Sequence, residues 1–573
     1  MPYDIAKGSF AQSPLLEKLK YEKKSANDLQ VRKHEDWDDN YELYRNKVKT
    51  NRLTQRQAVN IPLMKETIKT MLSQIDEAPN IEWQELGGDE QKELVYQEIW
   101  NDRSKHSKFE LLDVLDKKNV LIYGIGTKML NIVDDGVDAD VLDPFDITFD
   151  PLMKPGEIET ARFIIRQNIF RSIREILADE RYSEEGKEDL KIWADSSPGI
   201  VQGEENRKKW EEKMERLRAM GVTNADFPLF AGGDRVVNLT EHYTNVWSMK
   251  KKDWERRVAV YVEDCILLLD ETLEDLIGVD FWPFVIWSED PETADIYPDS
   301  VADLVRTPNK VLNVWFSQML ENRTLKNFQM HWYLPTQGYK PQTYTPGPGV
   351  MLPAPAGEDI NKVIKPVEIS GLDDTLSAIA AITQIVERGT GATAIEKGEP
   401  EAGTQTLGEI EILVGKARER TIGMTKFYRM AWYEFAWKWD KMMQVNAPKF
   451  MTLYKQARSG KIYPKRVFMN DWKSDAGYEP LVRSTSEQEQ ESIKTLQKFQ
   501  YVQQQYPNNL ALRKIAQKRQ LESLDLTPEE LKQVEDAEEQ AQQMETPEGG
   551  QEQGQLANQV QGQLQELETL NAA

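Results

Sequence analysis

The chain has 573 residues and a mass of 66.2 kDa, too long for a single hydrophobic core, so several compact units are expected. Its 72 Lys and Arg stand against 96 Asp and Glu, a formal charge of -24, which argues against a protein that grips nucleic acid by its phosphates, since such binding rests on cations that displace counterions. Cys265 is the only cysteine, which excludes intrachain disulfides and fits folding in a reducing cytoplasm.

Residues 1–60 form a charged N-terminal arm with a helical stretch, in which Leu15, Leu16, Leu19 and Tyr21 offer a surface that seats it on a neighbour. Pro62 then opens an amphipathic helix, with Met64, Ile68, Met71 and Leu72 at helical spacing. A second helix is expected from Glu90 to Lys117, burying Leu94, Ile99, Phe109, Leu112 and Leu115. The pattern next changes to period two: Leu121 to Met129 and Val137 to Phe149 flank Asp134-Asp135-Gly136, a hairpin signal. The aspartates lack the spacing and the later Glu of a calcium loop, so they mark a turn. Gly124-Ile-Gly126 falls inside the first strand and makes no nucleotide loop. A strand and a Ser172-capped helix follow over residues 161–179, strand signals return from Val236 to Val262, and Phe281 to Trp287 is an apolar, aromatic, buried segment.

The most informative stretch begins at Thr307-Pro308, where a cap and an N-terminal proline open a helix running to Met330, about 35 Å long. Pro335, Pro341, Pro346, Pro348, Pro353 and Pro355 then crowd a connector with fixed bends, closed by a short strand from Lys362 to Ile369. A second helix runs from near Asp373 to Gly389 with Leu376, Ile379, Ile382 and Ile385 on one stripe. Thr390 to Gln405 is small, polar and glycine-rich. A third helix, about 60 Å long, extends from Thr406 to Val445 and is expected to be interrupted at Gly415 and Gly423, where a bend is cheapest; its later half is aromatic all round and calls for burial on several sides. Arg466 to Met469 is strand-like. Helical segments over 486–545 give way to a Gln- and Glu-rich tail, 546–573, whose Thr546 to Gln555 is expected to be disordered.

This succession of helix, proline-rich excursion, returning helix, glycine-rich loop and long helix resembles the portal proteins of tailed bacteriophages. Three shorter stretches resemble the same family: Asn60-Ile-Pro62 with Ala78 to Ile81, Val141 to Pro144 ahead of Phe149 to Pro151, and Glu241 to Trp247 ahead of Pro283 to Val285. The resemblance covers residues 45 to 485 and rests on the order of elements. It implies an α+β, mainly helical portal fold: wing (61–300), first stem helix (301–330), clip (331–371), second stem helix (372–389), tunnel loop (390–405), a return to the wing (406–485) and a crown (486–545). It further implies a ring, of twelve subunits by analogy, at one vertex of the virion capsid, assembled in the host cytoplasm. The ring would be a passive channel for packaging and ejecting double-stranded DNA. Its implied partners are the terminase large subunit and a head–tail adaptor at the clip, and the major capsid and scaffolding proteins. Thr390, Thr393, Lys397 and Thr404 would face DNA in the channel; Tyr339, Lys340, Tyr344, Pro348 and Met351 would form the clip interface.

No enzyme motif competes. His34, His106, His242 and His331 are far apart and outside metal-binding spacing, and no phosphate-binding GxxxxGK[ST] occurs. No catalytic, metal or cofactor site is therefore expected. No window approaches the roughly 18 apolar residues of a membrane span, and Met1 to Lys20 lacks a secretory signal. The competing functions are another virion component, such as a head–tail adaptor or scaffold-like protein, and a carbohydrate hydrolase using an acidic pair.

Overall fold

The computed structural model describes residues 14–46, 59–75, 80–133, 136–196, 214, 236–262, 266–327, 331–333, 364–366, 375–390, 407–456 and 462–483. Of these, 54% are helical and 26% lie in strands, so the mixed, mainly helical character is as expected. The chain divides into residues 1–484 and 485–573; the second unit, with the expected crown and tail, lies outside the described residues.

The N-terminal arm is a 31-residue helix, α1 (Pro14–Tyr44). It is seated on its own chain rather than on a neighbour: Leu16 and Leu19 are buried against Ala259 and Tyr261, while Tyr21 remains in solvent. A polar pin reinforces the contact. The Glu22 carboxylate lies 2.9 Å from His242 Nε2 and accepts the Thr244 hydroxyl at 2.9 Å. Burial lowers the His242 pKa, so a neutral imidazole donates to Glu22.

Helix α2 (Leu63–Gln74) follows Pro62 as the spacing predicts, with Met64, Ile68 and Met71 buried. The single helix expected over 90–117 is two helices, α3 (Glu90–His106) and α4 (Phe109–Tyr123). They meet at Ser107 and at Lys108, which is left-handed with φ 53°. The change of axis rotates the predicted stripe apart: Ile99 and Phe109 are buried, but Leu94 and Leu115 are exposed. Residues Leu121–Tyr123, expected in a strand, complete α4. Gly124 ends that helix at φ 84°, where a Cβ would stand 2.1 Å from the Pro298 carbonyl oxygen. The two glycines thus form a helix-to-strand joint, not the interior of a strand.

The hairpin itself is present. Strand β2 (Gly126–Val133) pairs antiparallel with β3 (Gly136–Val141), register Val133↔Gly136. The expected strand from Val137 to Phe149 is divided, because a turn at Pro144–Asp146 delivers β4 (Ile147–Phe149) to another sheet. That five-stranded antiparallel sheet has the order β4-β5-β6-β7-β8, with β5 (Phe163–Ser172), β6 (Val236–Ser248), β7 (Asp253–Val262) and β8 (Ile266–Thr272). Ser172 leads into α5 (Ile173–Ala178), its amide donating to the Glu175 carboxylate at 3.2 Å. Helix α6 (Glu184–Ser196) and the short α7 (Leu273–Ile277) flank the sheet. The aromatic segment supplies β9 (Phe284–Trp287), every residue buried, which completes the small sheet β3-β2-β9.

The last long helix, α10 (Leu407–Val445), runs unbroken through Gly415 and Gly423, so the interruption expected there does not occur. Tyr428, Trp432, Phe435, Trp439, Met442 and Met443 are buried, and Met430 and Tyr433 are exposed. The later half of the helix is thus buried on several sides, as expected. Its polar contacts fix its position. Asp113 Oδ1 accepts from the Tyr428 hydroxyl at 2.7 Å and from Trp432 Nε1 at 3.1 Å. The other Asp113 oxygen is 2.6 Å from Lys117 Nζ. One turn along α4, Asp116 pairs with Lys128 of β2 at 2.5 Å and accepts from Trp287 Nε1 at 2.6 Å. All four charged groups are buried. Further along the helix the Tyr96 hydroxyl donates to Asp440 at 2.7 Å, Lys438 donates to the Phe284 carbonyl at 2.7 Å, and Trp439 Nε1 donates to the Val137 carbonyl at 3.2 Å.

After α10, β12 (Phe450–Gln456) pairs with β13 (Ile462–Phe468), longer than the strand expected at Arg466 to Met469, and β14 (Tyr478–Arg483) returns to pair with β1 (Asn80–Glu85).

Removing one partner of a buried ion pair strands the other in a medium that solvates it poorly. Lys117→Met is therefore expected to cost about 3–5 kcal/mol, read from urea unfolding of the purified chain. Asp113→Asn added to Lys117→Met keeps the acceptor for Tyr428 and Trp432 and removes both charges, so it should recover most of that loss. A double variant as unstable as the single one would contradict the pairing.

Candidate functional site

The helix–excursion–helix segment is built as follows. Helix α8 (Val301–Asn327) begins six residues before the expected Thr307. The start is set by Ser300: its amide donates to Asp303 Oδ2 at 2.8 Å, and the Asp303 amide returns a bond to Ser300 Oγ at 3.2 Å. Pro308 therefore sits inside the helix, where the position lacks an N–H to bond the preceding turn.

Beyond the C-terminal end of α8, β10 (His331–Tyr333) pairs antiparallel with β11 (Ile364–Pro366), register His331↔Pro366. This pair closes the base of the proline-rich excursion, and β11 lies inside the strand expected at Lys362 to Ile369. The chain then enters α9 (Thr375–Thr390), which packs against α8.

The first half of α8 is held by a polar ladder. Asn309, Asn313 and Ser317 stand four residues apart, on one face, and all three are buried. Asn309 Oδ1 accepts the Met64 amide at 2.9 Å, Asn313 Oδ1 accepts the Ile61 amide at 2.7 Å, and Ser317 Oγ accepts the Val59 amide at 3.0 Å. The Met64 amide is one of the first-turn donors of α2 that have no partner within their own helix. Side chains of α8 thereby satisfy the backbone of another segment. Ion pairs to α1 add Arg306–Asp36 at 2.7 Å and Lys310–Asp39 at 2.5 Å. After Ser317 no described residue of α8 is buried.

A carboxyl group guards the N-terminus of α8. Glu289 accepts a backbone hydrogen bond from Val301; burial and the neighbouring Asp290 nevertheless push its pKa up to about 8. Its Oε2 is enclosed without a hydrogen-bond partner among the described residues. Burial outweighs the helix dipole, which by itself favours the charged form.

Of the residues assigned to the channel, Thr390 is the last of α9; it is buried and its hydroxyl donates to the Val386 carbonyl at 2.8 Å. Thr393, Lys397 and Thr404 lie outside the described residues, as do Tyr339, Lys340, Tyr344, Pro348 and Met351 of the clip. Sequence reasoning missed the ladder, Glu289 and the Asp–Lys pairs. The available signal was polar residues at helical spacing within apolar runs, as in Phe109–Tyr123 and Lys310–Ser317.

Asn313→Ala is expected to cost about 1–3 kcal/mol, because it leaves the Ile61 amide without its acceptor; the midpoint of chemical unfolding reads this. For Glu289 the folded pKa lies above the ordinary 4.5. Its contribution is thus full below pH 4.5 and is lost as pH rises through about 8. Glu289→Gln should flatten the decline in unfolding temperature across that window. An unchanged slope would contradict the assignment.

The sequence model of the family described as phage SU10 portal protein matches residues 20–572. Among solved structures, a chain from the virion of a native gene transfer agent (GTA) particle is 12% identical with a TM-score of 0.35, covering 70% of this chain and 81% of that one. A chain from the neck of an empty GTA particle, computed with C6 symmetry, is 12% identical with a TM-score of 0.33, covering 66% of this chain and 78% of that one. No curated protein matches. The family match spans both helices, the excursion between them and the long helix that follows, and on that extent the chain belongs to the phage SU10 portal protein family.

Proposed function

We propose that copies of this chain close a ring, twelve by analogy, at one capsid vertex, in which α8 and α9 form the stem around a channel for double-stranded DNA. The family is a structural component of the virion, which sets aside the acidic-pair hydrolase. Membership also favours a portal over a head–tail adaptor or scaffold-like protein.

The observation that carries the reading is α9. Its sequence, TLSAIAAITQIVERGT, carries an apolar stripe, yet among its described residues only Val386 and Thr390 are buried, and Leu376 and Ile385 are 65% and 63% exposed. Exposed large apolar side chains on such a helix call for further cover. Part of its predicted stripe, Ile379 and Ile382, packs against the core; the rest is available to a neighbouring copy. Repetition of one heterologous contact around an axis closes a ring.

In this reading the wing (61–300 and 406–485) holds the stem, and residues 331–371 are the clip. The terminase large subunit docks there during packaging and a head–tail adaptor afterwards, while the shell and scaffolding proteins surround the wing. Residues 486–545 form a crown ahead of the tail. The loop 390–405 reaches the DNA through Thr393, Lys397 and Thr404, with Thr390 as the fixed end from which it departs. Lys397 is its only cation against Glu396, Glu399 and Glu401. Phosphates meet little to neutralise them, so DNA slides rather than sticks. The channel is passive, and the motor belongs to the partner.

Deleting residues 394–402 should leave ring formation intact and reduce the yield of DNA-filled heads in a packaging assay. Normal filled heads from that variant would contradict the loop assignment.

A further inference from the structure

The five-stranded sheet carries a projection that the channel reading leaves unused. Strands β6 and β7 pair as far as Ser248↔Asp253. Strand β5 follows β6 only to Thr244, and β8 follows β7 only to Arg257, among the described residues. Residues 246–255 therefore overhang as a two-stranded ribbon with no flanking strand. Such a ribbon is marginal in water unless something packs on it.

Its side chains are not those of a solvated edge. Trp247 and Trp254 face each other across the ribbon, with ring centroids 5.5 Å apart and an interplanar angle of 78°. They are 47% and 61% exposed, and Met249 at the tip is 85% exposed. Trp254 also lines a cleft of about 540 Å³ with Tyr21, Lys18, Arg162 and Phe163. Lys250, Lys251 and Lys252 form the turn. Lys251 pairs with Glu255 at 3.3 Å, whereas Lys250 and Lys252 have no ion-pair partner among the described residues. Lys252 holds φ 53°, a left-handed conformation that glycine adopts more easily.

We propose that this Trp-, Met- and Lys-bearing ribbon docks on an acidic, apolar face of a second copy of this chain. The inference rests on the ring reading and adds a contact in the wing to the one along the stem. Charge complementarity selects the partner: a cationic tip on a chain of formal charge -24 meets attraction from another copy. A matching surface exists on the described chain. Asp89 and Glu90 are exposed at the start of α3 between Leu86 and Leu94, both also exposed. Aromatic anchors ringed by charge are the side chains that carry most of an interface's affinity.

The test uses the purified full-length chain with a photoreactive phenylalanine analogue at position 249. Irradiation should give a covalent dimer on a denaturing gel. Two variants accompany it, Trp247→Ser with Trp254→Ser and Lys250→Glu with Lys252→Glu. Each should raise the concentration for half-assembly about tenfold or more, with the unfolding temperature of the chain unchanged. Rings that form without any covalent dimer, and with both variants assembling like the parent, would overturn the ribbon contact alone. A parent chain that stays monomeric at every concentration would overturn the ring and the ribbon together.

Discussion

Two buried ion pairs, Asp113–Lys117 and Asp116–Lys128, join α4 to the β2–β3 hairpin and the long helix α10. Four charges out of water are costly unless each is paired, and here Tyr428, Trp432 and Trp287 supply further donors to the two carboxylates, although Asp116 Oδ1 has no hydrogen-bond partner among the described residues. Because those donors belong to α10 and β9, the pairs do more than neutralise one another. They set the axial position of the long helix against α4 and the β2–β3 hairpin. A slip of α10 by one turn would leave Asp113 without its Tyr428 and Trp432 donors, whereas an apolar contact of the same area would tolerate it more readily.

The same logic recurs at α8. Its inner half is fastened by side chains that complete the hydrogen bonding of residues 59–64, and its N-terminus is tied by Ser300, whose hydroxyl donates to the carbonyl of Ile122 near the end of α4. Asn40 of α1 donates to that carbonyl and to Asp303. The start of the helix is therefore joined to α1, α2 and α4, whereas beyond Ser317 none of its described residues is fully buried and its described partner is α9. In the proposed ring, neighbouring copies would complete that half-covered end.

Much of this was legible in the sequence. The order of helices, the proline-rich excursion, the hairpin and the buried aromatic strand all follow from periodicity and breakers. The misplaced boundaries share a physical cause. Thr307-Pro308 mimics a helix start, but the Ser300 and Asp303 bonds win because they satisfy amides that would otherwise be orphaned. Ser107-Lys108 breaks a helix without a glycine or proline: Lys108 takes the left-handed region, and its carbonyl accepts the Leu111 and Leu112 amides at the start of α4. Gly415 and Gly423 weaken α10 locally without interrupting it. The ladder and the buried pairs were illegible because polar residues inside apolar runs look like solvated faces until the partner segments are known. Leu16 and Leu19 were visible as a docking stripe, but the sequence did not reveal that the dock is the chain's own sheet.

The central claim, that α8 and α9 of several copies line one channel, is tested most directly by an electron cryo-microscopy reconstruction of the purified assembly. The account predicts a closed ring whose central hole is walled by residues 301–327 and 375–390, with the apolar side of α9 buried between adjacent copies. A reconstruction with those helices on the outer rim, or an assembly with no central hole, would contradict it.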